Sequence, residues 1–291
     1  MTEFLRRLVK EKPLSIIAGV VILLLILVAI FADVLAPYPH DEVNIVDRMQ
    51  APSNRYLLGT DQLGRDLLSR LVFGARISLT VGLAATTVNV VVAVLIGGVS
   101  GFFGGRLDLA MQRFVDAWMA FPGLLLLLTI MSLVGRGLPQ IIVVLGVTGG
   151  IGGSRVVRGA VIGVKENAYF QAAEAIGGTR WRTLIHHVLP NIAAPVIIIF
   201  TINVGGVIIS EAALSFLGFG LPISVPSWGG MLSREGREFM EVAPRLALWP
   251  GLCLTVVVYC LNMFGDAVRD LLDPRLRGGG GRLGADRAAS V

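Results

Sequence analysis

The chain has 291 residues, 54% of them hydrophobic and 15% charged, with a formal net charge of +5. Soluble domains carry about a quarter charged residues, so the composition argues against a soluble fold. The basic excess is explained by membrane topology, as set out below, and calls for no nucleic acid.

Charged residues leave six long gaps, at 13–32, 77–105, 117–135, 137–154, 188–210 and 246–265, of 20, 29, 19, 18, 23 and 20 residues. A membrane-crossing helix needs about 20 apolar residues, which predicts an all-α integral membrane protein with six transmembrane helices. Arg6, Arg7, Lys10 and Lys12 precede the first gap. That gap exceeds the 7–15 apolar residues usual for a secretory signal, so it reads as an uncleaved anchor. With the N-terminus inside, the inner segments 1–12, 106–116, 155–187 and 266–291 hold 16 Lys and Arg against 9 outside. The positive-inside rule then places both termini in the cytoplasm.

Three regions follow in order: 1–76 with the first span and an external segment, a 77–265 core of five spans, and a 266–291 tail. In the external segment Pro37, Pro39 and Pro52 mark extended chain, and helical spacing resumes over 57–76. Leu63, Leu67, Leu68 and Leu71 share one face there, with Asp61, Arg65, Asp66 and Arg70 elsewhere. This predicts an amphipathic helix lying on the membrane or on a neighbouring subunit. Gly97, Gly101 and Gly105, and Gly149 and Gly153, recur every four residues, a spacing that lets helices approach closely; a hinge is the alternative use.

A seventh charge-free gap, 212–233, is interrupted by Gly218, Gly220, Pro222 and Pro226. It reads as a surface loop, with only 212–217 extending the preceding helix. Trp228 and Trp249 suit the membrane boundary, and Phe239 and Met240 offer exposed contacts. Glu211, beside the fifth span, is the ionisable group nearest the membrane interior, serving either a pathway or a helix–helix hydrogen bond. Asn203 is a second pathway candidate.

The motifs of several chemistries are missing from the sequence. Lys10, Lys12 and Lys165 are the three lysines, and none completes a G-x-x-x-x-G-K-[ST] loop. Adjacent His186 and His187 cannot form an i, i+4 metal pair, and no span holds a histidine that could activate a serine. Cys253 and Cys260, seven residues apart on one helix, would lie about 10 Å apart, too far for a disulfide. No catalytic or metal-binding residue is expected.

The inner segment 155–187 reads as helix, break, helix. Asn167 can cap a short helix carrying Tyr169, Phe170, Ala172, Ala173 and Ile176. Gly177 and Gly178 end it, Thr179 can cap the next, and Pro190 stops the pattern. Tyr169, Phe170 and Ile176 supply apolar anchors beside small alanines, as suits a helix seated in a groove on another protein. A helix lying on the membrane fits the composition equally.

This segment resembles the cytoplasmic loop of ABC importer permeases, E-A-A-x(3)-G-x(9)-I-x-L-P, with Gln171, Ala172, Ala173, Gly177, Leu189 and Pro190 in register. Gln171 replaces the glutamate and His187 the isoleucine. The likeness extends to LGTDQLGRD at 58–66, GARISL at 74–79, SEAALSFLG at 210–218, PSWG at 226–229 and LDPR at 272–275, which resemble the second permease subunit of the dipeptide, oligopeptide and nickel branch. The resemblance implies a type I importer permease with a second permease, two ATPase subunits that hold ATP and Mg, and an external substrate-binding protein as partners, in the inner membrane. It implies that Tyr169, Phe170, Gln171, Ala172, Ala173, Gly177, Leu189 and Pro190 dock the ATPase. The cargo would be di- or oligopeptides, or else nickel or another small solute. An ion-coupled transporter and a membrane scaffold are the rival readings from other classes.

Overall fold

A computed structural model describes residues 12–168, 170, 179–222 and 224–272. Among the described residues all regular structure is helical, apart from one isolated bridge between Thr60 and Asp66. Among the described residues five helices are long and apolar enough to cross a membrane, and a sharply bent pair counts as a sixth when taken as one broken span.

Helix α1 (Pro13–Ile30) opens on proline, which is cheap in a first turn where the amide has no helical partner. Its far end is closed from outside: Arg76 donates through Nε to Ala29 O at 2.7 Å and through Nη2 to Ile30 O at 3.0 Å. These carbonyls belong to the last turn, which lacks intrahelical donors. Arg76 also pairs with Asp33 at 2.8 Å, in the short helix α2 (Ala32–Leu35).

Helix α3 (Leu67–Phe103) has 37 residues and is about 55 Å long, well beyond the roughly 30 Å hydrocarbon core. Asp66 caps it by accepting from the Ser69 amide at 2.8 Å, and Gly104 at φ +65° ends it. The expected amphipathic helix over 57–76 is therefore corrected. Residues 57–66 are loop, 67–76 are the first turns of α3, and the boundary expected at residue 76 falls inside one continuous helix.

The expected single span at 117–135 is broken. Helices α4 (Gly105–Met119) and α5 (Gly123–Val134) meet at 89°, where Pro122 has no amide to donate and pushes its predecessor out of helical geometry. The α4 arm lies against α6 (Leu138–Lys165) through Asp108–Arg158, with Asp116–Arg155 beside it. Helix α6 continues to Lys165, so the first eleven residues of the inner segment expected from residue 155 extend the preceding span.

Helix α7 (Arg180–Phe216) passes through Pro190, which was expected to stop it. The chain widens into a π turn over Leu184–Val188, with Leu189 N donating to Leu184 O at 3.0 Å, then tightens to 3₁₀ over Pro190–Ile192. Asn191 Nδ2 donates to His187 O at 2.6 Å. The ladder is thus rerouted around the missing proline amide. The helix ends at Phe216, as the breakers required, with Gly218 at φ +87° beyond it. A short helix α8 (Trp228–Met231) tucks back into the bundle before α9 (Arg245–Leu272) returns.

The bundle has two ends. Residues 31–66, 217–222 and 224–244 form a cap end, and the α3–α4 corner, the end of α6, the start of α7 and the end of α9 form a loop end. Lys12 pairs with Asp270 at 2.7 Å, which puts the start of α1 at the loop end too. Between these ends α3 and α6 interlock. Lipid supplies no hydrophobic drive between helices, so contact depends on close backbone approach. A Cβ on Gly150 would stand 2.6 Å from Asn89 O, and one on Gly101 would stand 3.0 Å from Arg158 O. Tight packing is accordingly the observed use of Gly97, Gly101 and Gly149, joined by Gly150, whereas Gly153 has room for a Cβ and Gly105, at φ +59° with open space around it, serves the corner.

Candidate functional site: the two ends of the bundle and the groove between

At the loop end the connection from α6 to α7 is mounted on the bundle by its own residues. Phe170 is 1% exposed and meets the Phe102 ring edge-on at 6.3 Å, among Val164, Leu184, Val188 and Ile192. It therefore anchors the loop to this chain instead of facing a partner, which corrects its place among the docking residues. Its amide donates to Asn167 O at 3.0 Å. The Asn167 side chain turns backward, donating to Gly163 O and Val164 O at 3.1 and 3.2 Å, so it closes α6 as well as turning the chain. Thr179 stands at the start of α7, yet its side chain makes no capping bond. Leu189 packs on the apolar cluster and Pro190 is exposed. Tyr169, Gln171, Ala172, Ala173, Ile176 and Gly177 lie outside the described residues.

Lys165, prominent only as a failed nucleotide motif, closes the end of α3: its Nζ donates to Phe102 O at 2.8 Å. Asp108 receives Nε and Nη2 of Arg158 at 2.7 and 2.6 Å. These pairs join α3, α4 and α6 beneath the loop. Residues fifty or sixty apart carried no spacing signal that could have paired them.

The cap end holds charges that were expected on a wet helix face. Asp61, Arg65, Asp66 and Arg70 are 0, 3, 4 and 2% exposed. Asp61 accepts Arg65 Nε at 2.6 Å and the amides of Leu63 and Arg65 at 2.8 and 3.0 Å, with Arg70 Nε at 3.5 Å. Asp47 gathers Asn44 Nδ2, Gln50 Nε2 and the Tyr56 hydroxyl at 2.6, 2.7 and 2.9 Å. Burial and the donated bond to Asp47 push the Tyr56 phenol above its ordinary range. Arg245 of α9 donates to Met49 O and Gln50 O, both at 2.9 Å, and ties the cap to the last helix. Gly59 and Gly64, at φ +81° and +74°, turn the chain tightly enough to fold these charges inward.

Three motifs far apart in sequence meet beside this knot. Trp228 is 1% exposed, which corrects its expected place at the membrane boundary; its indole donates to Leu71 O at 3.1 Å and its amide to Ser78 Oγ at 3.4 Å. Gly229 lies against Ala212 with no room for a Cβ. Glu211 is 0% exposed and accepts from Ser215 Oγ at 2.7 Å. The 212–233 loop is thus satisfied partly by protein, where water had been expected. Met240 is exposed as anticipated, whereas Phe239 is half-buried.

Asn203 occupies a different setting. It is half-buried on a groove of about 570 Å³ whose wall comes from α6, α7 and α9, including Gly153, Ile198, Ile202 and Arg269. Glu211 does not line this groove. The two pathway candidates are therefore separated, Asn203 facing open space and Glu211 facing protein.

Residues 93–278 match the family described as binding-protein-dependent transport system inner membrane component, and residues 1–52 match the N-terminal transmembrane domain of oligopeptide transport permease C. The chain is 38% identical over 268 residues to the dipeptide transport system permease protein DppC of Alkalihalophilus pseudofirmus, covering 92% of this chain and 88% of that one. It is 36% identical over 268 residues to the oligopeptide transport system permease protein OppC of Bacillus subtilis, with the same coverage of 92% and 88%. It is 35% identical over 276 residues to the glutathione transport system permease protein GsiD of Pectobacterium atrosepticum, covering 94% and 91%. The inward-facing MetNI methionine ABC transporter shares the fold, with a TM-score of 0.57 at 18% identity over 70% of this chain and 96% of that one. With the spans, the loop end and these matches in agreement, the chain belongs to the family of inner membrane components of binding-protein-dependent transport systems.

Proposed function

We propose that this permease forms half of the pathway of an ATP-driven importer of di- or oligopeptides. The reading is carried by near-full-length similarity to permeases named for dipeptide, oligopeptide and glutathione transport. A second, similar permease would supply the other half, two ATPase subunits would bind and hydrolyse ATP with Mg, and an external binding protein would deliver the cargo. The chain itself performs no covalent chemistry. Both termini and the loop end face the cytoplasm, which agrees with the 16 to 9 basic split.

Tyr169, Gln171, Ala172, Ala173 and Gly177 form the surface that docks on the ATPase. Exposed Pro190 joins that surface, and Phe170 and Leu189 brace it from behind. The interlock of α3 with α6 supports a rigid transmission: a push on the loop at the end of α6 moves α3 with it, and the groove at Asn203 opens or closes against the second permease. Asn203 lines the path, and Glu211 braces the cap. The test is purification of the complex followed by reconstituted uptake. Co-isolation of an ATPase and ATP-dependent uptake of a dipeptide, but not of nickel, is the expected result. Uptake driven by an ion gradient and indifferent to ATP would overturn it.

A further inference from the structure

The loop end carries a small polar recess that neither docking nor the groove employs. It is lined by Phe102 and Phe103 at the end of α3, Lys165 at the end of α6 and Arg180 at the start of α7. The Lys165 ammonium, held by the Phe102 carbonyl, also stands 5.8 Å over the Phe102 ring. A carbonyl orients an ammonium without neutralising it, and three N–H donors leave a free one for a ligand. The acid that senses this charge, Asp108, is already held by two nitrogens of Arg158. Among the described residues no acid lines the recess, so its described lining is cationic.

An apolar strip leads away from it. Trp181 packs edge-on to Phe103 at 5.4 Å while remaining 60% exposed, and Ile185, one turn along α7, is 52% exposed. Tryptophan is enriched where headgroups meet acyl chains. The depth agrees. Lys165 lies 27 residues beyond Leu138 on α6, and Phe103 lies 27 beyond Arg76 on α3. At 1.5 Å per residue each separation is about 40 Å, close to the thickness of a bilayer counted with its headgroup layers.

We propose that this recess binds the phosphate headgroup of an anionic phospholipid, gripped by Lys165 and Arg180, with an acyl chain lying along Trp181 and Ile185. The site rests on the membrane reading of the fold and is independent of cargo, of ATPase partners and of orientation. A lipid held there joins the ends of α3, α6 and α7 at the root of the loop.

The full chain is to be placed in nanodiscs of phosphatidylcholine with and without phosphatidylglycerol. Retained lipid is read by native mass spectrometry, and Trp181 fluorescence by quenching with brominated phosphatidylglycerol, after subtraction of Trp181→Phe. Each cation near an anionic surface contributes about fivefold in affinity, so Arg180→Ala should lower the preference for phosphatidylglycerol about fivefold and Lys165→Ala with Arg180→Ala about thirtyfold. Lys165→Arg with Arg180→Lys keeps the charge and should keep the preference. If the double alanine variant does not fold, Arg180→Ala decides alone. Unchanged preference in the folded alanine variants would overturn the site. So would displacement of its occupant by inorganic phosphate with Trp181 quenching unaffected, which marks a site for soluble phosphate instead.

Discussion

Asp61 decides whether the cap folds, because its carboxylate faces two buried guanidinium groups and two amides. Breaking a buried ion pair by removing one partner costs about 3–5 kcal/mol, and Asp61 is shared by both arginines. Asp61→Ala should therefore lower the thermal midpoint of the purified chain in detergent. Asp61→Asn, which keeps one acceptor oxygen, should be milder. Equal midpoints for wild type and the alanine variant would mean that the buried arginines find other partners. The knot was half legible: the 58–66 motif was singled out, and Gly59 and Gly64 stand on either side of Asp61. Its leucine spacing nevertheless pointed to a helix, because an i, i+4 pair of charges looks the same on a wet helix face as in a tight buried turn.

The helices show the same division. Gly150 sits on the α3–α6 seam, where a new Cβ meets backbone, which cannot rotate away as a side chain can. Overpacking of that kind costs about 1–3 kcal/mol, so Gly150→Val should destabilise the chain and slow uptake. Gly152→Val, one step off the seam in open space, should do neither; comparison of the two variants by thermal unfolding and transport checks this. On the loop, Gly177→Val tests docking. If Gly177 ends the short helix at positive φ, valine adds about 1–2 kcal/mol of local strain. The protein should reach the membrane, bind its ATPase less well and lose ATP-dependent uptake. Normal uptake per assembled complex would remove the role proposed for Gly177.

For the whole molecule, the basic split predicts an outer cap end and an inner loop end. In a background lacking Cys253 and Cys260, cysteines at Ser53 and Ser224, both exposed at the cap end, should react with an impermeant thiol reagent applied to intact cells. A cysteine at Thr179, exposed at the loop end, should react only after the cells are opened. The reverse pattern would invert the proposed topology and remove the loop end from the cytoplasmic ATPases.

Composition and charge spacing by themselves determined that this chain is a bundle of membrane helices and where most of them lie, since exclusion of charge from hydrocarbon acts residue by residue and needs no partner. They also placed the end of the fifth span, because Gly218 and the prolines after it act locally. Only the tertiary structure decided the rest. Pro122 breaks its helix while Pro190 does not, because rerouted backbone bonds and Asn191 supply what the missing amide takes away. Arg76, Lys165, Arg158 and Arg245 found their partners on other helices. Phe170 and Trp228 turned inward for the same reason: which face of an apolar side chain is covered depends on elements dozens of residues away, and local spacing carries no record of them.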